Sequence, residues 1–320
     1  MITKKRLTRK VDGGYKTKTS SLAWKNTRQL CLLALPGIIW FIVFAYIPMF
    51  GSIIAFKDFD YAKGMWLSDW NGLENFKYLF STDDAMRIFR NTILYNAVFI
   101  VLGTTVSVMT AIFLDFTKRR IFIKIYQTAL FLPHLISWVV VAYIALAMFS
   151  FTNGFFNHLL VAWGKDPVSW YMEPKYWPVI LIAFNVWKTI GFNVLVYYGS
   201  IMGIDSTLYE AAAIDGTSKA QMVFKITLPL LKPTIILMFI MSIGNMMRAD
   251  FGLFYYVPND QGALYAVTDV IDTYIYRSLK TLGDISGSSA ASVFQSVVGL
   301  GLVLLSNYAV KKIDADSAMF

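Results

Sequence analysis

Long uncharged runs broken by short charged segments dominate this chain. Between Arg28 and Lys57 lie 28 residues without a charge, between Arg90 and Asp115 24, between Lys124 and Lys165 40, and between Asp284 and Lys311 26. About 20 apolar residues in a helix cross a bilayer core, so each window is long enough. Two further runs carry an interruption: 176–204 is apolar apart from Lys188, and 233–256 apart from Arg248 and Asp250. The pattern predicts six transmembrane helices, near 30–52, 92–114, 126–149, 178–202, 234–254 and 289–310, and so an all-α, polytopic membrane protein. The first run is too long, and its basic flank too extended, for a cleavable signal peptide. Pro36 and Pro48 near its ends are tolerable in a membrane helix.

Composition agrees: of 320 residues, 57% are hydrophobic and 15% charged, against roughly half and a quarter in soluble domains. The net charge of +9 needs locating before it suggests nucleic acid. Residues 1–28 hold nine Lys/Arg and one acid, and the remainder nets +1. With the N-terminus inside, inner segments carry 18 Lys/Arg and outer loops 9. That asymmetry places both termini in the cytoplasm, and the loop holding Lys118, Arg119, Arg120 and Lys124 gives the same sign without the tail. The expected organisation is a basic cytoplasmic tail at 1–29, the first helix with a long aromatic outer loop at 30–91, a core at 92–312, and a short cytoplasmic tail at 313–320. The single cysteine, Cys31, reads as an inert membrane thiol.

The inner loop at 203–232 is strongly patterned. It reads Glu210-Ala-Ala-Ala-Ile-Asp-Gly216, nine residues, then Ile226-Thr-Leu228-Pro229. Thr207 with Glu210 fits a capping box, and Gly216 can end that helix in the left-handed conformation. Residues 219–228 suit a second short helix, stopped by Pro229 and Pro233. The outcome is a two-helix shelf at the cytoplasmic surface. Its small residues let a partner come close; the plainer reading is an amphipathic helix pair lying on the membrane.

This string resembles the EAA signature of permease subunits of binding-protein-dependent ABC importers. Glu210, Ala211, Ala212, Gly216, Ile226, Leu228 and Pro229 match every fixed position without a gap. Gly72–Phe76, Asn91-Thr92, Phe131–Ser137 and Asp215–Ser218 are similar to the oligosaccharide branch, the maltose-type and lipopolysaccharide-type permeases. The resemblance covers roughly 30–312 and implies a type I ABC importer permease core. It implies that the seven matched residues couple the chain to a separate ATPase, and that ATP and Mg sit on two partner ATP-binding subunits. It also implies a second permease, usually a paralogue, an extracytoplasmic solute-binding protein delivering an oligosaccharide, and a bacterial or archaeal cell membrane. No cofactor, nucleic-acid partner or enzymatic activity is expected of this chain, which holds no G-x-x-x-x-G-K-[ST] phosphate loop.

Polar groups inside spans are costly and mark candidate sites. Asn185, Lys188, Thr189 and Asn193 share one face of the fourth span; Ser242, Asn245 and Arg248 share one face of the fifth. In maltose-type permeases the spans flanking the EAA loop line the sugar site. By that resemblance Asn185, Lys188, Thr189, Phe192, Ser242, Asn245 and Arg248 are the candidate substrate pathway, with Phe192 or Trp187 stacking on a sugar ring. The competing role for each is bonding to neighbouring helices, and Arg248 and Asp250, toward the outer end of the fifth span, can simply reach interfacial water. Lys188 has two available roles, an ion pair with Asp250 or attraction of an acidic sugar, and pairing is the commoner fate. His134 suits packing or a helix opening better than proton relay. Two histidines and one cysteine make a metal site improbable. The alternatives are an ABC permease for a non-sugar substrate, an ion-driven secondary transporter and a membrane enzyme. A secondary transporter calls for an inverted repeat and mid-membrane carboxylates, an enzyme for clustered acids, bases or metal ligands. Neither pattern is visible.

Overall fold

A computed structural model describes residues 21–117 and 119–313. The expected basic tail up to residue 20, Lys118 and the C-terminal tail from residue 314 lie outside the described residues. The chain divides into two compact units, residues 1–52 and 53–320, each described by itself.

In the first unit α1, Ser21–Phe41, runs into a widened π-turn, Ile42–Tyr46, and a short helical end, Ile47–Met49. Pro48 has no N–H to donate, and the widened turn precedes it, with the Ile47 N–H donating to the Ile42 carbonyl. The helix begins nearer residue 21 than the predicted 30, and its described side chains are almost all exposed.

The second unit opens with an antiparallel pair, β1 Lys57–Asp58 and β2 Asp69–Trp70, and the short helix α2, Glu74–Ser81. Then come α3 Asp83–Asp115, α4 Arg120–Leu135, α5 Trp138–Phe149, α6 Phe155–Ala162 and α7 Trp177–Met202. The inner-loop helices α8 Ser206–Ile214 and α9 Lys219–Met222 follow. After them come α10 Leu228–Gly244, α11 Ile271–Arg277 and α12 Ile285–Ile313. Across both units, five helices are long and apolar enough to cross a membrane, or six if the bent pair α4–α5 is one span.

Helix α7 lies along α3 and against α4, and α10 against α12. The α4–α7 approach is tight at Gly191, where any Cβ would collide with the backbone of Leu130 and Phe131. Two apolar cores form. One gathers Val141, Trp177, Leu181, Leu253 and Phe254; the other gathers Val108, Val194, Tyr197 and Leu231.

Two predicted spans are corrected. The span at 126–149 is two helices bent by 97° at Ile136–Ser137. Ser137 caps α5 by accepting from the Val140 N–H, which turns the chain after Pro133. The span at 234–254 ends at Gly244, and Asn245–Asp250 is non-helical. The proline stops are corrected too. Pro229 and Pro233 do not end the inner-loop helix: α9 passes through a π-turn, Val223–Thr227, directly into α10, and the widened turn immediately before Pro229 accommodates the N–H it lacks.

The expected outer loops are tied together. Asn91 donates to the carbonyls of Ala266 and Asp269, and Arg277 bonds Asp269 and lies 4.1 Å from the Tyr265 ring centroid. Lys57, buried, donates to the Met65 and Trp66 carbonyls, and Asn75 to those of Ala55 and Lys57.

Candidate functional site: a polar cavity and an inner-loop shelf

Both interrupted spans open onto one cavity of about 300 Å³. Helix α3 contributes Asn96, Phe99, Ile100 and Thr104, and α4 contributes His134. Helix α7 contributes Asn185, Thr189, Phe192 and Asn193; α10 and the segment after it contribute Ser242, Asn245 and Arg248. Six of the seven pathway residues expected from sequence therefore meet here.

The seventh, Lys188, does not line it. Its side chain is buried, and at the end of α4 Nζ donates to the carbonyls of Pro133 (3.2 Å), His134 (3.3 Å) and Ile136; the Pro133 carbonyl also accepts from the Ile136 N–H. The expected ion pair with Asp250 is also corrected. Nζ lies 5.0 Å from the Trp138 ring centroid, and Trp138 Nε1 donates to Asp250 Oδ2 at 2.8 Å, so an indole stands between the two charges. Asp250 Oδ1 accepts from the Gly252 (2.9 Å) and Leu253 (3.4 Å) N–H groups and starts the next turn. Trp187 lines an apolar pocket with Phe149, Phe156 and Phe184 instead of the polar cavity.

The non-helical segment after α10 is held on three sides. Asn96 Nδ2 donates to the carbonyls of Met246 (2.9 Å) and Arg248 (3.0 Å), and Gln295 Nε2 to that of Met247 (2.8 Å). The Ala249 N–H donates to Asp272 Oδ2 at 2.7 Å, and Gln295 donates to the same oxygen at 3.1 Å. Asp272 lies in the first turn of α11, and its burial pushes the carboxyl above the usual range. Irregular backbone at membrane depth survives only where protein or a wet cavity satisfies it; here Asn96, Gln295 and Asp272 supply the partners.

The competing role of the polar residues is partly realised. Thr189 Oγ1 donates back to the Asn185 carbonyl, Ser242 Oγ to that of Met238 and Asn245 Nδ2 to that of Met241. Phe192 stacks on His134, 5.4 Å between centroids at 21°. Sequence reasoning missed the α3 wall. Its signal was present: positions 96, 100 and 104 lie one turn apart, and an amide within an apolar run is costly.

The inner-loop shelf is built locally. Helix α8 is capped by Asp205, which accepts from the Thr207 N–H at 3.0 Å, a correction to the expected Thr207–Glu210 box. That hydrogen bond holds the Asp205 carboxyl below the usual range. The reciprocal box lies on α9, between Ser218 and Gln221. Gly216 has φ +72°, and the Gly216 and Thr217 N–H groups donate to the Ala213 and Ala212 carbonyls, a Schellman ending. The Tyr209 hydroxyl and Thr227 Oγ1 (2.9 Å) join the two halves. Glu210, Ala211, Gly216 and Pro229 are exposed, while Ala212, Ile226 and Leu228 are half-buried. Ile214 and Phe224 stand out, 87% and 70% exposed.

Amides, hydroxyls and a guanidinium turned into a cavity between apolar helices are expensive in lipid and suit passage of a polar solute, so fold and cavity together define a membrane permease. The chain belongs to the family of binding-protein-dependent transport system inner membrane components, whose model matches residues 103–315. It is thus a multi-pass ABC permease subunit of an inner membrane. It is 30% identical to the protein LplB of Bacillus subtilis strain 168 over 96% of this chain and 98% of that one. It is 32% identical to the polygalacturonan/rhamnogalacturonan transport system permease protein YteP of the same strain, over 93% and 92%. A chain of a bacterial ABC transporter involved in the import of the acidic polysaccharide alginate superposes with a TM-score of 0.82. It is 32% identical and covers 92% of this chain and 100% of that one. A second crystal structure of the alginate transporter, in complex with an alginate pentasaccharide-bound periplasmic protein, superposes equally well at 31% identity over 92% and 98%.

Proposed function

We propose that this chain forms half of the pathway of an ATP-driven importer that takes up an oligosaccharide delivered by an extracytoplasmic binding protein. The other half is a second permease subunit, a paralogue. Two ATP-binding subunits, carrying ATP and Mg, dock on the α8–α9 shelf through Glu210, Ala211, Ala212, Gly216, Ile226, Leu228 and Pro229. Both termini and the shelf lie in the cytoplasm. The observation that carries this reading is the shelf itself: a capped, Schellman-terminated helix pair with exposed Ile214 and Phe224, continuous with α10. Because α9 runs into α10 without a stop, a push on the shelf reaches the wall that carries Ser242 and Asn245. The likeness to YteP and to the alginate importer, both concerned with polysaccharides, supports a saccharide cargo.

The test is co-purification and uptake. Gly216→Val forces a β-branched residue into the left-handed region, costing about 1–2 kcal/mol locally. Together with Glu210→Lys, it is expected to lower association of the ATP-binding subunit and ATP-dependent uptake at least about ten-fold, with membrane insertion unchanged. Normal association and uptake in both variants contradict the docking role.

A further inference from the structure

The cavity wall is neutral except for one group. Apart from His134, its polar lining consists of the amides of Asn96, Asn185, Asn193 and Asn245, the hydroxyls of Thr104, Thr189 and Ser242, and the guanidinium of Arg248. No carboxylate lines it.

Arg248, which is exposed, differs from the buried or half-buried cations of the same unit. Lys188 is consumed by three carbonyls, Arg277 pairs with Asp269 and Asp260, and Arg87 pairs with Asp84. Among the described residues Arg248 forms no ion pair; its one side-chain hydrogen bond is a long contact from Nη2 to Ser296 Oγ, 3.5 Å. The two closest carboxylates in sequence and space are committed elsewhere. Asp250 caps the next turn and accepts from Trp138; Asp272 accepts from Ala249 and Gln295. The backbone under Arg248 is fixed, because Asn96 holds its carbonyl and Asp272 holds the following N–H. The result is an exposed guanidinium that no carboxylate bonds directly: Asp272 attracts it at longer range, and both neighbouring carboxylates are hydrogen-bonded elsewhere.

A guanidinium on the cavity wall with no carboxylate in direct contact is a charge that a neutral cargo leaves unmatched. Amides and hydroxyls suffice for neutral sugar hydroxyls, and a guanidinium adds the planar fork that matches a carboxylate bidentately. We propose that the saccharide carried through this cavity is anionic, a uronate-type oligomer, and that Arg248 is the residue of this chain that binds its carboxylate. The proposal rests on the saccharide reading above and sharpens it.

The full importer, with its second permease, ATP-binding subunits and binding protein, is reconstituted in vesicles. Probes are trigalacturonate, trimannuronate and triguluronate, each as the free acid and as the methyl ester, with maltotriose as a neutral control. The expected result is ATP-dependent uptake of at least one free acid. Arg248→Gln should reduce that uptake at least about ten-fold, and Arg248→Lys should restore part of it. Co-purification of the second permease should be unchanged in both variants. Uptake of maltotriose or the methyl esters alone overturns the anionic cargo and leaves the saccharide reading standing. Uptake of no saccharide of either kind removes the saccharide reading and the proposal with it. Equal loss of charged and neutral uptake in Arg248→Gln, or loss of the second permease from the purified complex, makes Arg248 structural and overturns its role as a cargo ligand.

Discussion

The α8–α9 shelf and the cavity wall are built by opposite means. The shelf is sequence-local: its caps, its Schellman ending and its Tyr209–Thr227 tie all fall within residues 205–227. The wall is assembled from distant segments, with Asn96 bonding residues 246 and 248, and Lys188 reaching back to 133–136. A local device survives as a unit when moved, which the proposed docking role requires. A long-range assembly holds its shape only while every contributing helix is in place, which the proposed cargo pathway requires.

That contrast can be broken from the wall side first. Gly191→Leu drives a side chain into the backbone of α4, which cannot step aside as a flexible side chain would. A loss of about 3 kcal/mol or more is expected, read as aggregation or an early thermal transition in detergent. Lys188→Met is smaller. It strands the carbonyls of His134 and Ile136, leaves that of Pro133 with the Ile136 N–H alone, and lowers stability by about 2 kcal/mol. Faster hydrogen exchange at residues 133–140 than at 206–214 is the diagnostic; equal acceleration in both regions would erase the distinction. On the shelf, Ser218→Ala removes one cap for about 1 kcal/mol. Coupling to the ATP-binding subunit should weaken while the thermal transition of the helical core stays in place. The smallest effect is that of pH. Asp205 is held below its ordinary range, so its cap is intact above the unfolded carboxylate pKa of about 4 and is lost only as pH falls through the lowered value. Association at the shelf is therefore expected to be flat from pH 8 to 5; a titration in that window would require another group.

What could be read from sequence follows the same division. The order of the spans came through, and their number up to the bent pair α4–α5, because an apolar run of sufficient length has few alternatives in a bilayer. Gly216 was legible because a helix ending needs φ above zero and glycine supplies it. The bends at 136–137 and 245–250 were not. Ile136 and Asn245 carry no strong local signal for a break, and both breaks depend on partners such as Lys188, Asn96 and Gln295 from other helices. The Lys188–Asp250 pair failed for a related reason: charge complementarity shows which groups attract, and not that an indole stands between them. Arg248 was legible as a costly charge; that its neighbouring carboxylates face elsewhere required the folded chain.

The elbow between α4 and α5 sets a schedule for synthesis. Its carbonyl at Ile136 is satisfied by a lysine 52 residues further on, and Trp138 by an aspartate 112 residues further on. At roughly 5–20 residues per second of chain growth, the first partner arrives about 3–10 seconds late and the second later still. Until then the elbow cannot rest in lipid with its carbonyls open. The newborn third span must wait beside water or the insertion machinery until the fourth arrives, so release of α4–α5 into the bilayer is a concerted event with α7 rather than an earlier step.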